Sequence, residues 1–250
     1  MSSDLLGSVS VLGRHPQASN AVFLVEVTQD DAPAVRAIYK PVAGERPLWD
    51  FPRGELARRE VATHDVAHAL GLSLVPTTIW RDDLPLGPGS LQRWVEEASL
   101  DDVDVVTEVP DGWCHVLDAE LQDGTPVALV HRDLADLRAL ALLDAVVNNG
   151  DRKAGHILRD PAGHLWAVDH GVTFHAEPKL RTVLWGFEGE AIDADLLARL
   201  SIDLTDLPAV RAALDDSERA ALADRVAVLR AEGVYPGPSP DWPAIPWPIY

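Results

Sequence analysis

The chain has 250 residues, a formal net charge of −19 and a sequence pI of about 4.7. This length can bury a sizeable core, and a hydrophobic fraction of 47% excludes a disordered acidic tail. The negative charge repels nucleic acid and anionic membrane surfaces, so we expect neither as a partner. A small anionic ligand in a local basic pocket stays compatible with this composition.

The cysteine and leader signals point to the cytoplasm. Cys114 is the single cysteine, so the chain cannot form an intrachain disulfide, which suits a reducing compartment. Residues 1–13 lack the basic start and apolar run of a signal peptide. The sequence has no run of roughly 18 apolar residues, so we expect a cytoplasmic protein without integral membrane contact.

The N-terminal third predicts strands around one helix. Apolar residues alternate through residues 8–40, which predicts an antiparallel meander with a polar turn at 13–20. Residues 41–54 are predicted to form a loop. The spacing of apolar residues in 55–70 predicts a helix that ends at Gly71. Two further strands are predicted over residues 72–80 and 90–95.

The remainder predicts helices and a hairpin. The acidic, irregular stretch 96–111 is predicted to be a solvated loop at a lobe boundary. The other predicted elements are a buried helix over 134–147, a hairpin over 157–168, helices over 191–200, 208–214 and 217–232, and an extended tail over 237–250. Asp215 and Glu218 have the spacing of a capping box for the last helix.

Four polar features attract attention through their order along the chain. Lys40 ends a predicted strand, and Glu60 lies on the first predicted helix. Asp151 and Lys153 follow the buried helix, and Asp169 follows the hairpin. Each feature alone is weak, but this order is typical of the residues that carry phosphoryl transfer in kinases.

Each residue type suits a role in that chemistry. Lys40 would bind the α- and β-phosphates of ATP, and Glu60 would hold Lys40 in place. Asp169 would bind Mg²⁺, which neutralises phosphate charge. Asp151 would orient the acceptor hydroxyl and take its proton, while Lys153 would stabilise the transferring group. Arg152 would add positive charge to the nucleotide pocket.

The chain resembles the phosphatidylinositol 3- and 4-kinase-like branch of the protein-kinase-like fold, and more closely a small actinobacterial group of phosphatidylinositol 3/4-kinase-like proteins. The resemblance covers roughly residues 8–235. It is carried by Ser19-Asn-Ala-Val-Phe-Leu-Val25, Ile38-Tyr-Lys40-Pro41, Arg59-Glu60-Val-Ala62, Asn148-Asn-Gly-Asp-Arg-Lys-Ala-Gly-His156, Val168-Asp-His-Gly-Val-Thr-Phe174 and Lys179-Leu-Arg-Thr-Val-Leu-Trp185.

The resemblance implies an α+β, two-lobed kinase-like fold in a single domain, 1–250. Residues 1–95 would form an N-lobe with an antiparallel sheet and one main helix. Residues 96–236 would form a mostly helical C-lobe, followed by the Pro/Trp-rich tail 237–250. Adenine would bind between the lobes, near residues 91–95.

Further site residues follow from the resemblance. Ser19 and Asn20 would donate to phosphate from the turn 13–20, in place of a G-x-G-x-x-G loop. Gln92 and Trp94 would contact the nucleotide at the interlobe strand. His156 stands where the lipid kinases carry asparagine, and imidazole is a poorer Mg²⁺ ligand than an amide oxygen. The change weakens the second metal position, favours Mn²⁺, or marks an inactive enzyme.

The predicted function is an ATP-dependent phosphotransferase that uses Mg²⁺ or Mn²⁺ and an unidentified hydroxyl acceptor. The acceptor could be a protein, a small metabolite or an inositol lipid. Two alternatives stay open. One is a catalytically inactive kinase-like module that binds a nucleotide or a partner, and the other is an AMP transferase.

Overall fold

The computed structural model describes residues 3–15, 20–30, 32–46, 48–51, 55–99 and 101–250. The strands are β1 (Ser8–Arg14), β2 (Phe23–Gln29), β3 (Ala32–Pro41), β4 (Thr78–Arg81), β5 (Gly89–Arg93), β6 (Val103–Val106), β7 (Trp113–Glu120), β8 (Pro126–Arg132), β9 (Ile157–Arg159) and β10 (Leu165–Ala167). The α-helices are α1 (Leu56–Ala69), α2 (Ala135–Val147), α3 (Ala194–Arg199), α4 (Pro208–Ala213) and α5 (Asp216–Glu232).

The first five strands form one antiparallel sheet in the order β1-β2-β3-β5-β4. Strands β1 to β3 confirm the predicted meander, and α1 lies between β3 and β4 in the chain. Lys40 pairs with Ser90 near the end of β3. The sheet therefore places the Lys40 side chain at a fixed point close to α1.

The predicted strand over residues 72–80 is too long. Residues 72–77 form turns, and only Thr78–Arg81 is extended and paired. Pro76 interrupts the segment because it has no backbone N–H for a ladder hydrogen bond. The apolar side chains of Leu72, Leu74 and Val75 are buried nonetheless, which explains the strand-like pattern.

The C-terminal region is not mostly helical, so that part of the predicted architecture is wrong. A second antiparallel sheet, in the order β6-β8-β7, precedes α2. The predicted solvated loop 96–111 contains β6, and Asp102 beside it is buried. Arg159 Nε donates to Asp102 Oδ2 at 2.7 Å, so this acidic residue is an internal ion-pair partner. The molecule is thus an α+β protein with more sheet than expected.

Buried apolar residues form two clusters. The smaller lies on the N-terminal sheet around Val25, Tyr39 and Leu91. The larger surrounds α2, whose leucines at positions 137, 140 and 143 are almost inaccessible to solvent, and it includes one face of α1. Helix α1 therefore connects the N-terminal sheet to the C-terminal region.

Helix α5 begins at the predicted capping box. The side chain of Asp215 accepts from the Glu218 backbone N–H at 2.9 Å, and Glu218 Oε2 accepts from the Asp215 N–H at 3.0 Å. Glu218 Oε1 also accepts from Arg59 Nη2 at 2.6 Å. One carboxylate therefore starts α5 and binds it to α1.

The tail 237–250 has neither helix nor strand and packs along the C-terminal region, as predicted. The carbonyl of Ala244 accepts from the Thr182 N–H and from Trp185 Nε1. The Ile249 carbonyl accepts from the Ala154 N–H at 2.8 Å. The tail is therefore attached to two segments near the predicted site.

Within the described part of the chain, the helices are all too short or too polar to span a lipid bilayer.

Replacing Asp215 by alanine should remove one capping bond and lower the free energy of unfolding by about 1 kcal/mol. Asp215→Asn is the matched control because an asparagine side chain also caps a helix. Urea denaturation monitored by circular dichroism measures both variants. Equal losses in the two variants would contradict a capping role.

Candidate functional site

Seven of the predicted site residues with described positions line one cavity of about 530 Å³. The cavity lies between the end of β3, helix α1 and the loops that follow α2 and β10. These residues are Asn20, Lys40, Glu60, Asp151, Lys153 and His156, and Asp169 joins them from the loop after β10. Residues far apart in the sequence therefore meet at one place.

Lys40 is the point of contact between three segments. Its ammonium group binds Glu60 Oε1 on α1 and lies 2.9 Å from Asp169 Oδ1. The Glu60 side chain is 3% exposed, whereas the Asp169 side chain is 54% exposed to the cavity. Glu60 thus fixes Lys40 from the interior, and Asp169 meets it from the open side.

The charges of this triad depend on one another. Burial alone would lower the pKa of Lys40, but the carboxylates of Asp169 and Glu60 together raise it above its usual value. Lys40 in turn holds the pKa of Asp169 well below its usual range. Burial raises the pKa of Glu60, against the opposing effect of Lys40. Lys40 and Asp169 are therefore charged at neutral pH.

The Asp151 loop is built on a buried ion pair. Helix α2 ends at Asn148, whose φ of 52° turns the chain sharply. Arg152 then inserts beneath the loop, where its Nε and Nη2 donate to the two Asp144 oxygens at 2.8 and 3.0 Å. Neither side chain of this pair has exposed surface. Arg152 therefore supports the loop from below and does not line the cavity.

Arg152 also connects this loop to the Asp169 loop. Its Nη1 donates to the Val168 carbonyl at 3.0 Å, and its Nη2 lies 2.7 Å from His170 Nε2. Because arginine is always a donor, His170 Nε2 must accept, so the ring proton is on Nδ1. Burial lowers the pKa of His170 and keeps it neutral, as this bond requires. The backbones that carry Asp151 and Asp169 are thus held in fixed relation.

Asp151 projects into the cavity from this support. The Asn149 side chain accepts from the Asp151 N–H at 3.0 Å and itself donates to Asp144. Lys153 Nζ lies 3.4 Å from Asp151 Oδ2. Burial raises the pKa of Asp151 despite the opposing charge of Lys153. A carboxylate with a raised pKa accepts a proton more readily than an ordinary aspartate does.

His156 contributes a neutral imidazole to the same cavity. Its Nε2 lies 3.5 Å from Asp169 Oδ2. Burial lowers its pKa to about 4. Asp169 and His156 together offer one carboxylate and one imidazole nitrogen to a metal ion. The Asp169 oxygen suits Mg²⁺ or Mn²⁺, and the imidazole nitrogen suits Mn²⁺ better, with the remaining ligands supplied by phosphate and water. No group of three or more metal-ligating side chains occurs in the described residues.

Three predicted site residues with described positions stand apart from this cavity. A further one, Ser19, lies outside the described residues. Gln92 is buried in β5 and donates to Thr78 Oγ1 at 2.9 Å, while Trp94 follows β5 with its indole near Glu96. Arg152 lies beneath the loop, as described above. Asn20 does line the cavity, but its side-chain oxygen accepts from the Arg46 N–H.

The sequence reasoning missed a group of aromatic and basic residues in the cavity wall. Trp49, Lys179, Arg181 and Trp242 all line it. The segment that begins at Lys179 carries part of the family resemblance but has no predicted role. Two cationic residues close together in an acidic chain could have indicated that this segment lines a site for an anion. The contribution of Trp242, from the tail, needed the tertiary structure.

The Asp144–Arg152 pair yields a stability prediction. Asp144→Ala should lower the free energy of unfolding by about 3–5 kcal/mol, because it leaves a buried guanidinium without its counter-ion. The matched control is Asp206→Ala, which breaks the exposed pair with Arg211 and should cost less than about 1 kcal/mol. Urea denaturation compares the two. Similar losses would contradict the importance of the buried pair.

His156 yields a pH prediction. Its folded pKa of about 4 lies below the ordinary 6.5, so between these values the unfolded chain binds the extra proton. The free energy of unfolding therefore falls as the pH is lowered through this window. His156 alone should account for a loss of about 2 kcal/mol between pH 7 and pH 5. His156→Asn should remove that portion of the pH dependence in urea titrations. An unchanged slope would show that His156 is not held neutral.

Comparison with known proteins gives one close relative. The protein Rv2133c of Mycobacterium tuberculosis is 42% identical over 261 residues, which cover 98% of this chain and 93% of that protein. No family model matches the chain. Identity at this level over nearly the full length of both chains shows common descent and a shared fold, and the chain belongs to the same family as Rv2133c.

Proposed function

We propose that the protein is a kinase-like phosphotransferase that uses ATP and a divalent metal ion to phosphorylate a hydroxyl group. The observation that carries this proposal is the contact of Lys40 with both Glu60 and Asp169, beside the cavity that Asp151 and Lys153 also line. A lysine fixed by a helix glutamate and next to a metal-binding aspartate is the arrangement that kinase chemistry requires.

The arrangement of elements supports a two-lobed kinase-like fold as part of the proposal. Lys40 lies on the third strand of a five-stranded antiparallel sheet, and Glu60 on the helix that connects this strand to the fourth. The Asp151 loop and the Asp169 loop follow from the C-terminal region. The cavity between them would hold the phosphates.

Each residue has a role in the proposed reaction. Lys40 would bind phosphate oxygens, and Asp169, with His156 beside it, would hold the metal ion. The metal ion would neutralise charge on the phosphates when bound. Asp151 accepts the proton of the acceptor hydroxyl as its oxygen bonds to the γ-phosphorus. The bond from that phosphorus to the β-phosphate oxygen breaks, and ADP leaves.

Lys153 and Asp151 act as a pair in this scheme. The ammonium group of Lys153 lies near the carboxylate that would position the acceptor, so it can also meet the γ-phosphoryl group as negative charge moves through the transition state. The negative net charge of −19 makes the local cations and the metal ion necessary, because the surrounding field opposes a bare nucleotide.

Nucleotide binding should depend on the metal and on Asp169. ATP with Mg²⁺ or Mn²⁺ should raise the melting temperature of the wild type, and Asp169→Asn should abolish that rise. Asp118→Asn is the control, since its side chain is 90% exposed and does not line the cavity. Differential scanning fluorimetry measures all three proteins. A wild type that responds to neither nucleotide nor metal would refute the proposal.

Labelled ATP then separates the reactions. Transfer of the γ-label to an acceptor or to water supports a phosphotransferase, and Asp151→Asn should reduce it by at least 100-fold while leaving ATP binding intact. Transfer of the α-label would support AMP transfer instead. Binding without transfer of either label, across a metabolite and protein panel, would support an inactive nucleotide-binding module.

A further inference from the structure

The proposed phosphoryl transfer leaves part of the cavity wall without a role. Trp49, Lys179, Arg181 and Trp242 line the same cavity as Asp151, yet none is needed to bind ATP or metal. They come from the loop after β3, from the segment after the Asp169 loop, and from the C-terminal tail. All four line the cavity that Asp151 also lines, and an acceptor has to bind in this cavity within reach of Asp151.

Arg181 presents its guanidinium edge beside Asp151. Its Nε donates to the Gly150 carbonyl at 2.5 Å, and its own backbone N–H donates to the Asn149 carbonyl at 2.9 Å. Within the described ranges, Nε is the only nitrogen of this guanidinium with a hydrogen-bond partner, and no carboxylate lies within 4.0 Å. The two terminal nitrogens can therefore donate to a ligand. A guanidinium edge of this kind binds carboxylate or phosphate through two parallel hydrogen bonds.

Lys179 is committed to other partners, which distinguishes it from Arg181. Its Nζ lies 3.0 Å from Asp50 Oδ2 and within 5 Å of the ring centres of Trp49 and Trp242, at 4.7 and 4.1 Å. The lysine side chain is 6% exposed. Lys179 therefore holds the two indoles in place, and its ammonium group is already paired with Asp50.

The two indoles form an aromatic surface. The rings of Trp49 and Trp242 stack with centres 5.8 Å apart and planes 23° apart. Trp49 is 79% exposed, so its indole is accessible to a ligand. Such faces bind rings and apolar portions of ligands. The pair therefore offers a contact for the body of a ligand whose charged end is at Arg181.

The tail fixes this surface close to the catalytic loop. The Ala244 carbonyl accepts from the Thr182 N–H, directly after Arg181, two residues beyond Trp242. The Ile249 carbonyl accepts from the Ala154 N–H, directly after Lys153. The tail thus completes one side of the cavity.

We propose that Arg181 and the Trp49–Trp242 pair form the acceptor subsite, which binds a small molecule that carries an oxyanion, phosphate or carboxylate, besides the hydroxyl to be phosphorylated. This inference rests on the proposed phosphotransferase function and names its substrate class. The oxyanion binds at Arg181, the body of the molecule contacts Trp242, and the hydroxyl reaches Asp151.

A cavity of about 530 Å³ favours a free small molecule over a protein surface. Sites of a few hundred to about 1,000 Å³ are the usual size for small ligands. The net charge of −19 likewise repels an anionic bilayer, so a phosphate group presented by a lipid is disfavoured.

The test uses the full chain without nucleotide. The tryptophans are labelled with ¹⁵N, and the Trp242 indole signal is assigned from its loss in Trp242→Phe. Inorganic phosphate and acetate are titrated separately as probes. We expect a saturable shift of the Trp242 signal with at least one anion. Arg181→Gln and Arg181→Lys should each raise the apparent Kd at least tenfold, because both remove the guanidinium edge.

Arg230→Gln is the matched control, since Arg230 is an exposed arginine on α5, and its Kd should stay within twofold of the wild type. A Trp242 signal that does not shift would overturn the subsite, as would Arg181 variants that bind like the wild type. A shift that is lost in Lys40→Met but kept in the Arg181 variants would assign the anion to the nucleotide site, and this result would also overturn the acceptor subsite.

Two further measurements complete the test. Vesicle binding distinguishes a lipid phosphate from a soluble anion, and ATP binding distinguishes failure of the acceptor subsite from failure of the proposed phosphotransferase function. Cosedimentation with phosphatidylglycerol vesicles that depends on Arg181 would assign the site to a lipid headgroup and overturn the soluble acceptor. ATP binding that persists while the Trp242 shift is absent would refute the acceptor subsite alone. A saturable shift in a chain without any ATP response would refute the phosphotransferase, and the acceptor role with it.

Discussion

Three separate parts of the chain meet because the ammonium group of Lys40 contacts one carboxylate from each of two other segments. Strand β3 supplies the lysine, α1 supplies Glu60, and the loop after β10 supplies Asp169. Without Lys40, two carboxylates would face each other, one of them buried, and such an arrangement is strongly unfavourable. The position of α1 against the N-terminal sheet and the position of the Asp169 loop therefore both depend on this one cation.

A second ion pair, wholly inside the protein, makes the first one useful. Arg152 and Asp144 have no exposed surface, and Arg152 also bonds to Val168 and His170 on either side of Asp169. The loops that carry Asp151 and Asp169 thus share one support. Removing the Arg152 guanidinium from water is costly, and its several hydrogen bonds offset that cost. The same bonds fix the geometry of the cavity wall. The carboxylates of Asp151 and Asp169, which both line the cavity, can then act on a ligand without first being ordered.

The sequence alone predicted those elements that depend only on local patterns of residues. The strand alternation before Lys40, the helix that carries Glu60 and the capping box of α5 were all predictable, because period and capping chemistry are local. The sequence did not predict β6, because its acidic surroundings resemble a solvated loop. The ion pair of buried Asp102 with Arg159 depends on the tertiary structure. The same limit applies to the cavity. Lys40 and Asp169 were predicted to share a site, but the contribution of Trp242 follows from a tail path that no local pattern encodes.

The proposed function requires a divalent metal ion and the phosphates of ATP to bind beside Lys40 and Asp169. A crystal structure of the wild type with Mn²⁺ and a non-hydrolysable ATP analogue tests it most directly, because Mn²⁺ is located by its anomalous scattering. We expect an anomalous peak at coordinating distance from the Asp169 carboxylate, with the β- and γ-phosphates beside Lys40. Nucleotide bound elsewhere, or a cavity that stays empty at saturating nucleotide and metal, would contradict it.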